Sequence, residues 1–482
     1  MSGTTARRNG ARIGAPNPYP ERVVRVLIAL AVIAAGVLFF PLREGAAPLS
    51  PVARVVLLGL FVAAMALYLR YEHPRVYRDT RLLGLLAGLT VLTFGLAAVL
   101  TQVRGMNEFT TPVVLGPLVL ATLFDKRLAL YYGMVLVVAL AAIAPFRAEF
   151  VPVAAVTSVV AVYSLVGLHH RWHFYRALLL IVAAQLAAIL AVDVGQFMSA
   201  QVVGRDLVAG LVGALASCVV GMGILPLVER LYHVPSDITL LELSDLNRPL
   251  LRKLMLEAPG TYHHSLIVGS LAELAAEAVG ANPLLARVGA YYHDIGKITK
   301  PEYFTENEGG GRSRHAGLAP SMSALVIKSH VAEGLEIARR ERLPLPVHAA
   351  IAQHHGTTMV AFFYAKALDL DPATPDAAYR YAGPRPQSRE IAIIMLADAV
   401  EGASRSLTEP TPARLRGLVD KIVNLRLAEG ELDQSGLNLS DLAKLRESFV
   451  NVLTARFHTR VAYPEMRSKR MLSRVRSTLF RR

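Results

Sequence analysis

Apolar segments of about bilayer length fill the first half of this chain, and they constrain its fold more than any other feature. A helix needs roughly 20 mostly apolar residues to cross the roughly 30 Å hydrocarbon core of a bilayer. Eight stretches reach or approach that length, at residues 24–41, 52–70, 82–101, 111–124, 128–145, 150–168, 176–194 and 206–228. They predict a polytopic bundle of about eight transmembrane helices over 24–228.

The fourth segment leaves the number of spans open. It is short, and only Asp125, Lys126 and Arg127 separate it from the fifth. A single interrupted segment, a re-entrant pair or a total of seven spans are therefore alternatives to eight.

The basic residues between the segments predict the orientation. With eight spans both ends of the bundle face the same side, and Lys and Arg concentrate on the cytoplasmic side of membrane proteins. Twelve basic residues fall on the side of the N-terminus, namely Arg7, Arg8, Arg12, Arg22, Arg70, Arg75, Arg78, Arg81, Lys126, Arg127, Arg171 and Arg176. Four fall on the opposite side, namely Arg43, Arg104, Arg147 and Arg205. We expect a multi-pass protein of the cell membrane, with the N-terminal segment 1–23 and everything after residue 229 in the cytoplasm.

Composition excludes several other classes of protein. The net charge is +14, but the basic residues form no stripe interleaved with aromatic residues, so no nucleic-acid partner is expected. The single cysteine, Cys218, rules out an intramolecular disulfide framework and a cysteine-based zinc site. The lipid bilayer is the partner that this composition favours.

The second half of the chain has a helical pattern nearly throughout. Residues 229–262 predict a linker, because Pro235 and Ser236 interrupt the helical pattern before leucines resume it. Apolar residues then recur at spacings of three and four, in segments near 263–280, 283–296, 319–340, 345–356, 388–406, 412–429 and 438–457. Alternating strand-like stretches are lacking, so the predicted fold is all-α.

Histidines and aspartates are spread over several of these predicted helices. The adjacent pairs His293-Asp294 and His354-His355 stand near Gly296 and Gly356, which mark helix ends. A metal pair held by imidazole and carboxylate needs ligands from several rigid elements, because neighbours on one helix rarely reach the same ion. This distribution favours a metal site over separate buried histidines.

An ordered series of motifs surrounds these histidines and aspartates. It consists of LRKLMLEAPGTYHHSLIVGSLAE, ARVGAYYHDIGKITKPEYFTEN, SALVIKSHVAEG, AAIAQHHGT, YAGPRPQSRE, IIMLADAVEGASRSL and FHTRVAYPE. These motifs resemble the HD superfamily of metal-dependent phosphohydrolases, and more closely the membrane-bound 7TM-HD family, the PgpH-type cyclic-di-AMP phosphodiesterases. The resemblance covers about 235–465 and implies a cytoplasmic all-helical HD domain over 263–465.

The resemblance also implies the ligands of two divalent transition-metal ions, iron or manganese. One ion would be held by His264, His293, Asp294 and Asp398. The other would be held by His330, His354, His355 and a second oxygen of Asp294, which would therefore bridge the two ions. A hydroxide held between the ions would cleave one phosphodiester of cyclic di-AMP to give linear pApA.

Other polar residues have weaker or open assignments. Asp294 and Lys297 are the expected catalytic residues, with Lys297 either a phosphate contact or a solvated structural lysine. His263 is a weaker ligand candidate than His264, and His315 is open between a substrate contact and the surface. His348 and His458 are expected to be structural.

Two features depart from the family or lie outside its motifs. Where the family carries a large extracytoplasmic domain between its first two spans, this chain has only PLREGAAPLS and its flanks. The basic tail 466–482 either contacts anionic lipid headgroups or is a solvated end.

Rival functions concern substrate and turnover. The same site could act on cyclic di-GMP or a dNTP, although no Gly-Tyr-Pro follows His355. The alternative outside the enzymes is a membrane receptor that binds a nucleotide without hydrolysing it. The oligomeric state is not indicated by the sequence.

Overall fold

A computed structural model of the chain describes residues 21–40, 50–165, 172–308 and 313–457. Contacts divide the chain into two compact units, Met1–Asp245 and Leu246–Arg482. In the described part, α-helices and short 3₁₀ turns make up the regular structure, joined by one isolated β-bridge between Met359 and Arg380. The predicted all-α fold is confirmed. The basic tail, His458 and most of the loop after the first predicted span lie outside the described residues.

The first unit is a bundle of apolar helices. Its helices are α1 (Glu21–Phe39), α2 (Pro51–Glu72), α3 (Pro74–Arg78), α4 (Thr80–Leu100), α5 (Leu115–Leu123), α6 (Lys126–Ile143), α7 (Phe150–Ser164), α8 (Trp172–Gly195), α9 (Ala200–Tyr232) and α10 (Asp237–Leu243). Polar side chains between the apolar segments cap the N-terminal ends of several of these helices, because their oxygen atoms accept hydrogen bonds from backbone N–H groups of the first turn. Ser50, Asp79 and Asp125 cap α2, α4 and α6 in this way.

Among the described residues, six of these helices are long and apolar enough to cross a membrane: α1, α2, α4, α6, α8 and α9. Two shorter apolar stretches accompany them, Glu108–Leu123 and Phe150–Ser164. The chain is therefore a multi-pass membrane protein. The 33 residues of α9 extend for about 50 Å at 1.5 Å per residue, well beyond a 30 Å hydrocarbon core.

The fourth apolar segment differs from the long helix expected over 111–124. It consists of a 3₁₀ turn at Glu108–Thr110, irregular backbone and the nine-residue helix α5. Glu108 pairs with Arg147, just beyond the C-terminal end of α6, whereas Asp125 caps the N-terminal end of the same helix. The segment therefore runs the length of α6 in the opposite direction. Its irregular backbone is buried in protein, where such structure is tolerated at membrane depth.

A cluster of charged side chains lies at the end of the bundle where α6 finishes and α9 begins. The Arg147 guanidinium pairs with Glu108 and with Asp206, which is fully buried in α9. Arg205 lies 3.3 Å from Asp206, and Asn107 donates to the same carboxylate. These contacts compensate a carboxylate that would otherwise be very costly to bury.

The second unit contains α11 (Pro249–Glu257), α12 (Pro259–Val279), α13 (Pro283–Tyr292), α14 (Pro320–Arg340), α15 (Leu345–Gln353), α16 (Ala361–Leu370), α17 (Arg389–Ser404), α18 (Pro412–Ala428) and α19 (Leu439–Phe457). Its core lies between α12, α13, α17, α18 and α19. The helices predicted from spacing are found within a few residues of their expected limits. The helix α16 was not predicted, and α12 begins before residue 263, where the linker was expected to end.

Loss of the Arg147 guanidinium should destabilise the membrane unit. Replacing it with glutamine leaves the buried Asp206 with the exposed Arg205 as its remaining cationic partner and Asn107 as a neutral donor, at a cost of about 3 kcal/mol. Thermal unfolding of the detergent-solubilised full chain measures this loss for Arg147→Gln. Arg104→Gln, which changes an exposed arginine in the loop before Asn107, should unfold like the unaltered protein. Equal stability of the two variants would contradict a structural role for the cluster.

Candidate metal centre

Helix ends supply the side chains at the centre of the second unit. α13 ends at Tyr292 and α15 at Gln353, so His293 and His354 are the first residues after each helix. At such ends the backbone leaves helical geometry, and adjacent side chains can point to the same place. The side chains of His293 and Asp294 can therefore point to the same centre, and so can those of His354 and His355. Gly296 and Gly356 had predicted that the helices end here.

Gly296 lets the turn after Asp294 pack directly on α14. A Cβ at this position would lie 1.9 Å from the carbonyl oxygen of His330. Only glycine permits two backbones to approach so closely. The contact holds His330 beside Asp294, although 36 residues separate them in the sequence.

The structure brings together all seven metal-ligand candidates. Their nitrogen and oxygen atoms form two groups, and the atoms within each group lie within 4.8 Å of one another. One group contains His264, His293 and Asp398, and the other contains Asp294, His330, His354 and His355.

Asp294 faces both groups, one with each carboxylate oxygen. Its Oδ2 lies 3.2 Å from His293 Nε2 and 3.8 Å from His264 Nε2. Its Oδ1 lies 3.4 Å from His330 Nε2 and 3.7 Å from His354 Nε2. Asp398 approaches the first group closely, with Oδ1 3.0 Å from His264 Nε2. This is the geometry that a bridging carboxylate requires.

Hydrogen bonds on the far side of the rings orient the histidines. The Nδ1 atoms of His293, His330 and His354 lie 2.6, 2.5 and 2.9 Å from the carbonyl oxygens of Ala290, Ile327 and Ile351. These bonds direct each Nε2 into the centre, as metal-binding histidines require. The Nε2 of His293 and the Oδ1 of Asp294 are buried without a hydrogen-bond partner, which fits ligands of a metal ion.

Burial and the neighbouring imidazoles set the charge of the second group. Burial, with a contribution from His293, lowers the pKa of His354 to about 3. Burial and the adjacent His354 likewise hold the pKa of His355 well below its usual value. These rings are neutral near pH 7, and a neutral imidazole has a lone pair to give to a metal.

Two carboxylates outside the expected set support the centre. Glu401 lies 2.6 Å from Nδ1 of His264, and it also accepts from Arg405 and Arg456. Burial alone would raise the pKa of Glu401, but the bonds from His264 and Arg405 lower it to about 2. Glu306 lies 2.8 Å from Nζ of Lys297. Both lie in motifs that had been used only for the resemblance, and sequence reasoning missed their roles because their partners, His264 and Lys297, are not their neighbours in the sequence.

Lys297 is a half-buried residue of this centre and not a solvated lysine. Its Nζ lies 2.6 Å from Asp294 Oδ2 and 2.8 Å from Glu306 Oε1. Burial opposes the charge, but Asp294 and Glu306 raise the pKa of Lys297. Lys297 therefore stays charged and contacts both carboxylates.

An aromatic ring covers the second group. Tyr381 stacks on His355, with ring centroids 4.2 Å apart, and meets the edge of His330 at 6.2 Å. Tyr381 lies in the YAGPRPQSRE motif, which had been used only for the resemblance. Its ring is a further residue that sequence reasoning did not assign to the centre.

Three further histidines that the structure describes in the second unit belong to neither group. His263 is exposed, whereas its neighbour His264 is buried. His315 is half-buried, with Nε2 2.8 Å from the carbonyl of Tyr303 and its ring against Phe363. His348 is buried within α15.

Comparison with known proteins matches this architecture in both units. Residues 48–236 match the family described as a 7TM receptor with intracellular HD hydrolase, and residues 261–403 match the HD domain family. The first unit thus contains the region that the 7TM-HD family model describes, and the second unit contains an HD domain. That assignment agrees with the resemblance drawn from the motifs.

Relatives of this chain include two curated cyclic-di-AMP phosphodiesterases named PgpH. The one from Listeria monocytogenes is 41% identical over 253 residues, which cover 52% of this chain and 35% of the relative. The one from Bacillus subtilis is 33% identical over 431 residues, which cover 86% and 60%. The chain thus spans less than two thirds of these relatives.

A solved structure also matches the second unit. The HD domain of L. monocytogenes PgpH in complex with cyclic-di-AMP is 42% identical to this chain, with a TM-score of 0.43. The match covers 45% of this chain and 100% of that domain.

Glu401 should support metal binding through His264. In Glu401→Gln the carboxylate that fixes the ring is lost, and the affinity for Mn²⁺ should fall about 10- to 100-fold. Titration of the metal-free full chain with Mn²⁺, followed by the paramagnetic signal of free ion, measures the change. Glu409→Gln, at an exposed carboxylate eight residues later, should bind Mn²⁺ normally. Unchanged affinity in Glu401→Gln would show that His264 does not need this partner.

Proposed function

We propose that this chain is a membrane-anchored phosphodiesterase that hydrolyses cyclic di-AMP to linear pApA with two divalent metal ions. The observation that carries the proposal is Asp294, whose two oxygens face two separate groups of nitrogen and oxygen donors. A carboxylate shared in this way suits a pair of ions about 3.5–4 Å apart, the arrangement of two-metal phosphodiester hydrolysis.

The proposed ligands are those that the family resemblance implied. His264, His293, Asp294 and Asp398 would hold one ion, and His330, His354, His355 and Asp294 the other. Imidazole and carboxylate donors without sulfur suit iron or manganese. When bound, such a pair lowers the pKa of a shared water and stabilises charge on the phosphoryl oxygens.

Charge also supports a requirement for the ions. The ligand set carries two carboxylates, Asp294 and Asp398, and Lys297 is already balanced by Glu306. Each of these carboxylates repels a phosphodiester anion. Two divalent ions held by them would add positive charge, so binding of the anionic substrate and binding of metal are coupled in this proposal.

Lys297 positions Asp294 in the proposed reaction. An ammonium group has three N–H donors, and two carboxylates lie within hydrogen-bonding distance of this one. The third donor is available to a phosphoryl oxygen. Lys297 thereby keeps Asp294 ionised and oriented toward both ions, and its ring neighbour Phe304, 4.9 Å away, shields it from water.

The proposed orientation places the N-terminus and the HD domain in the cytoplasm. It rests on the surplus of Lys and Arg on one side of the predicted spans. Two of the four arginines on the other side, Arg147 and Arg205, pair with Asp206, so their charges are largely compensated. Cyclic di-AMP made inside the cell would then reach the centre directly.

The substrate is tested with the purified full chain loaded with Mn²⁺ or Fe²⁺. Cyclic di-AMP, cyclic di-GMP and a dNTP mixture are incubated separately, and the products are separated by chromatography. We expect cyclic di-AMP to be consumed and pApA to accumulate. Survival of cyclic di-AMP while another nucleotide is consumed would refute the substrate, and binding without any product would favour a receptor.

The metal-bridging role of Asp294 is tested by substitution. Asp294→Asn keeps the shape of the side chain but removes the charge shared by both groups, so activity should fall by roughly 100-fold or more. Metal content per chain should fall in parallel. His263→Ala, which removes the exposed neighbour of the ligand His264, should keep full activity and two metals. Full activity of the Asp294→Asn variant would refute the proposed mechanism.

A further inference from the structure

An apolar cavity lies within the membrane unit, between α1, α2, α4 and α6. Its volume is about 260 Å³. On α1 it is lined by Arg25, Ile28, Ala29 and Val32, whose spacing places them on one face of the helix. The facing walls come from apolar residues of α2, α4 and α6.

The cavity has a closed end and a depth of about half a bilayer. On α4 its lining runs from Leu83 to Phe94, which corresponds to about 16 Å along the helix axis. Beyond that point α1 closes on its neighbours, since a Cβ on Gly36 would lie 2.7 Å from Leu58 Cδ1. Phe40 then meets Phe94 edge-to-face. This depth is that of one leaflet of a roughly 30 Å hydrocarbon core.

The interior of the cavity offers little to a polar ligand. Apart from Arg25 and Tyr77 at one end, the polar side chains among its lining residues are Thr90 and Tyr132. The Thr90 hydroxyl donates to the carbonyl of Leu86, and the Tyr132 hydroxyl lies 3.0 Å from Thr90. These groups satisfy each other, so the wall is suited to hydrocarbon.

The open end is cationic. Arg25 packs over the ring of Tyr77 at 4.8 Å and pairs through Nη2 with the exposed Glu21. Its Nε is buried and has no hydrogen-bond partner. The buried donor faces an end of the bundle where Arg22 and Arg78 are also present and exposed, so an anionic acceptor is favoured there.

We propose that this cavity binds one acyl chain of an anionic phospholipid of the bilayer, with the lipid phosphate on Arg25. The apolar depth fits a chain of one leaflet, and the unpartnered Nε–H of the guanidinium is a donor that a phosphate oxygen can accept, although Nη2 already contacts Glu21 and the carbonyl oxygen of Arg78. By the predicted orientation this is the cytoplasmic leaflet, whose lipids are anionic. The site is separate from the proposed phosphodiesterase centre and does not depend on it.

The test measures which lipid the full chain retains. Protein purified in detergent is exchanged with equimolar phosphatidylglycerol and phosphatidylcholine of the same acyl chains, together with free palmitate, and the lipid that stays bound is identified by native mass spectrometry. We expect one phosphatidylglycerol per chain, favoured over phosphatidylcholine by about tenfold because its head is a net anion. Equal retention of both phospholipids, retention of palmitate instead, or no retained lipid would overturn the proposal.

Matched variants separate the headgroup contact from the acyl chain. Arg25→Gln should abolish the preference for phosphatidylglycerol, whereas Arg22→Gln, at the exposed arginine of the preceding turn, should preserve it. Ala29→Phe fills the cavity and should lose the bound lipid, whereas Ala31→Phe, on the exposed face of α1, should keep it. Circular dichroism checks that each variant is helical. If Ala29→Phe does not fold, Arg25→Gln alone still decides, because an unchanged preference there refutes the assignment.

Discussion

The Asp294 carboxylate is the contact on which the arrangement of the second unit depends. It is almost fully buried, and imidazoles from α12, α13, α14 and α15 lie around its two oxygens. A buried carboxylate is costly unless it is compensated, and here Lys297 supplies a fixed positive charge. Burial opposes charge on His293, but Asp294 and Asp398 raise its pKa to about 10, so this ring adds positive charge beside Asp294. The burial of Asp294 thus depends on charges that the chain itself supplies.

Close backbone contacts let distant segments meet around this carboxylate. Gly296 brings the turn after Asp294 against α14, and Gly260 does the same for the segment that carries Glu306. A Cβ at Gly260 would lie 1.8 Å from the carbonyl oxygen of Glu306. Neither approach tolerates a side chain, because the opposing atoms are backbone and cannot move aside. The positions of Lys297, Glu306 and His330 are thus determined by packing before any metal binds.

Local pattern predicted much of this structure, and the failures have physical reasons. The helices α17 and α18 bury long apolar faces, which apolar spacing predicted. The ten-residue helix α16 buries only Phe363 and Ala367, so its apolar pattern is short, and it was missed. In the membrane unit the segment over 111–124 was apolar enough for a span, but its helical part is only nine residues long because other helices bury its irregular backbone.

The candidate centre was predictable only in part. The seven ligand candidates came from motifs, and the structure brings them together, but their assignment to two metals stays a prediction. Glu401 and Glu306 lie in the quoted motifs, but nothing in the sequence assigned them a role. Each acts through a partner more than eight residues away, Glu401 through His264 and Glu306 through Lys297. Pairings of that kind arise from packing, which hydrophobic spacing does not encode.

The length of the helix α9 restricts which insertions and deletions it can accept. Near its start Asp206 is held by Arg147, and near its end Glu229 accepts from the backbone of Ser236 and from the hydroxyl of Thr239. Each residue added to a helix turns everything beyond it by about 100°. An insertion of one residue between these two carboxylates would therefore release one of them from its partners. The rotation of α9 between Asp206 and Glu229 is therefore fixed by contacts at both ends. Only insertions or deletions of whole helical turns keep both carboxylates facing their partners.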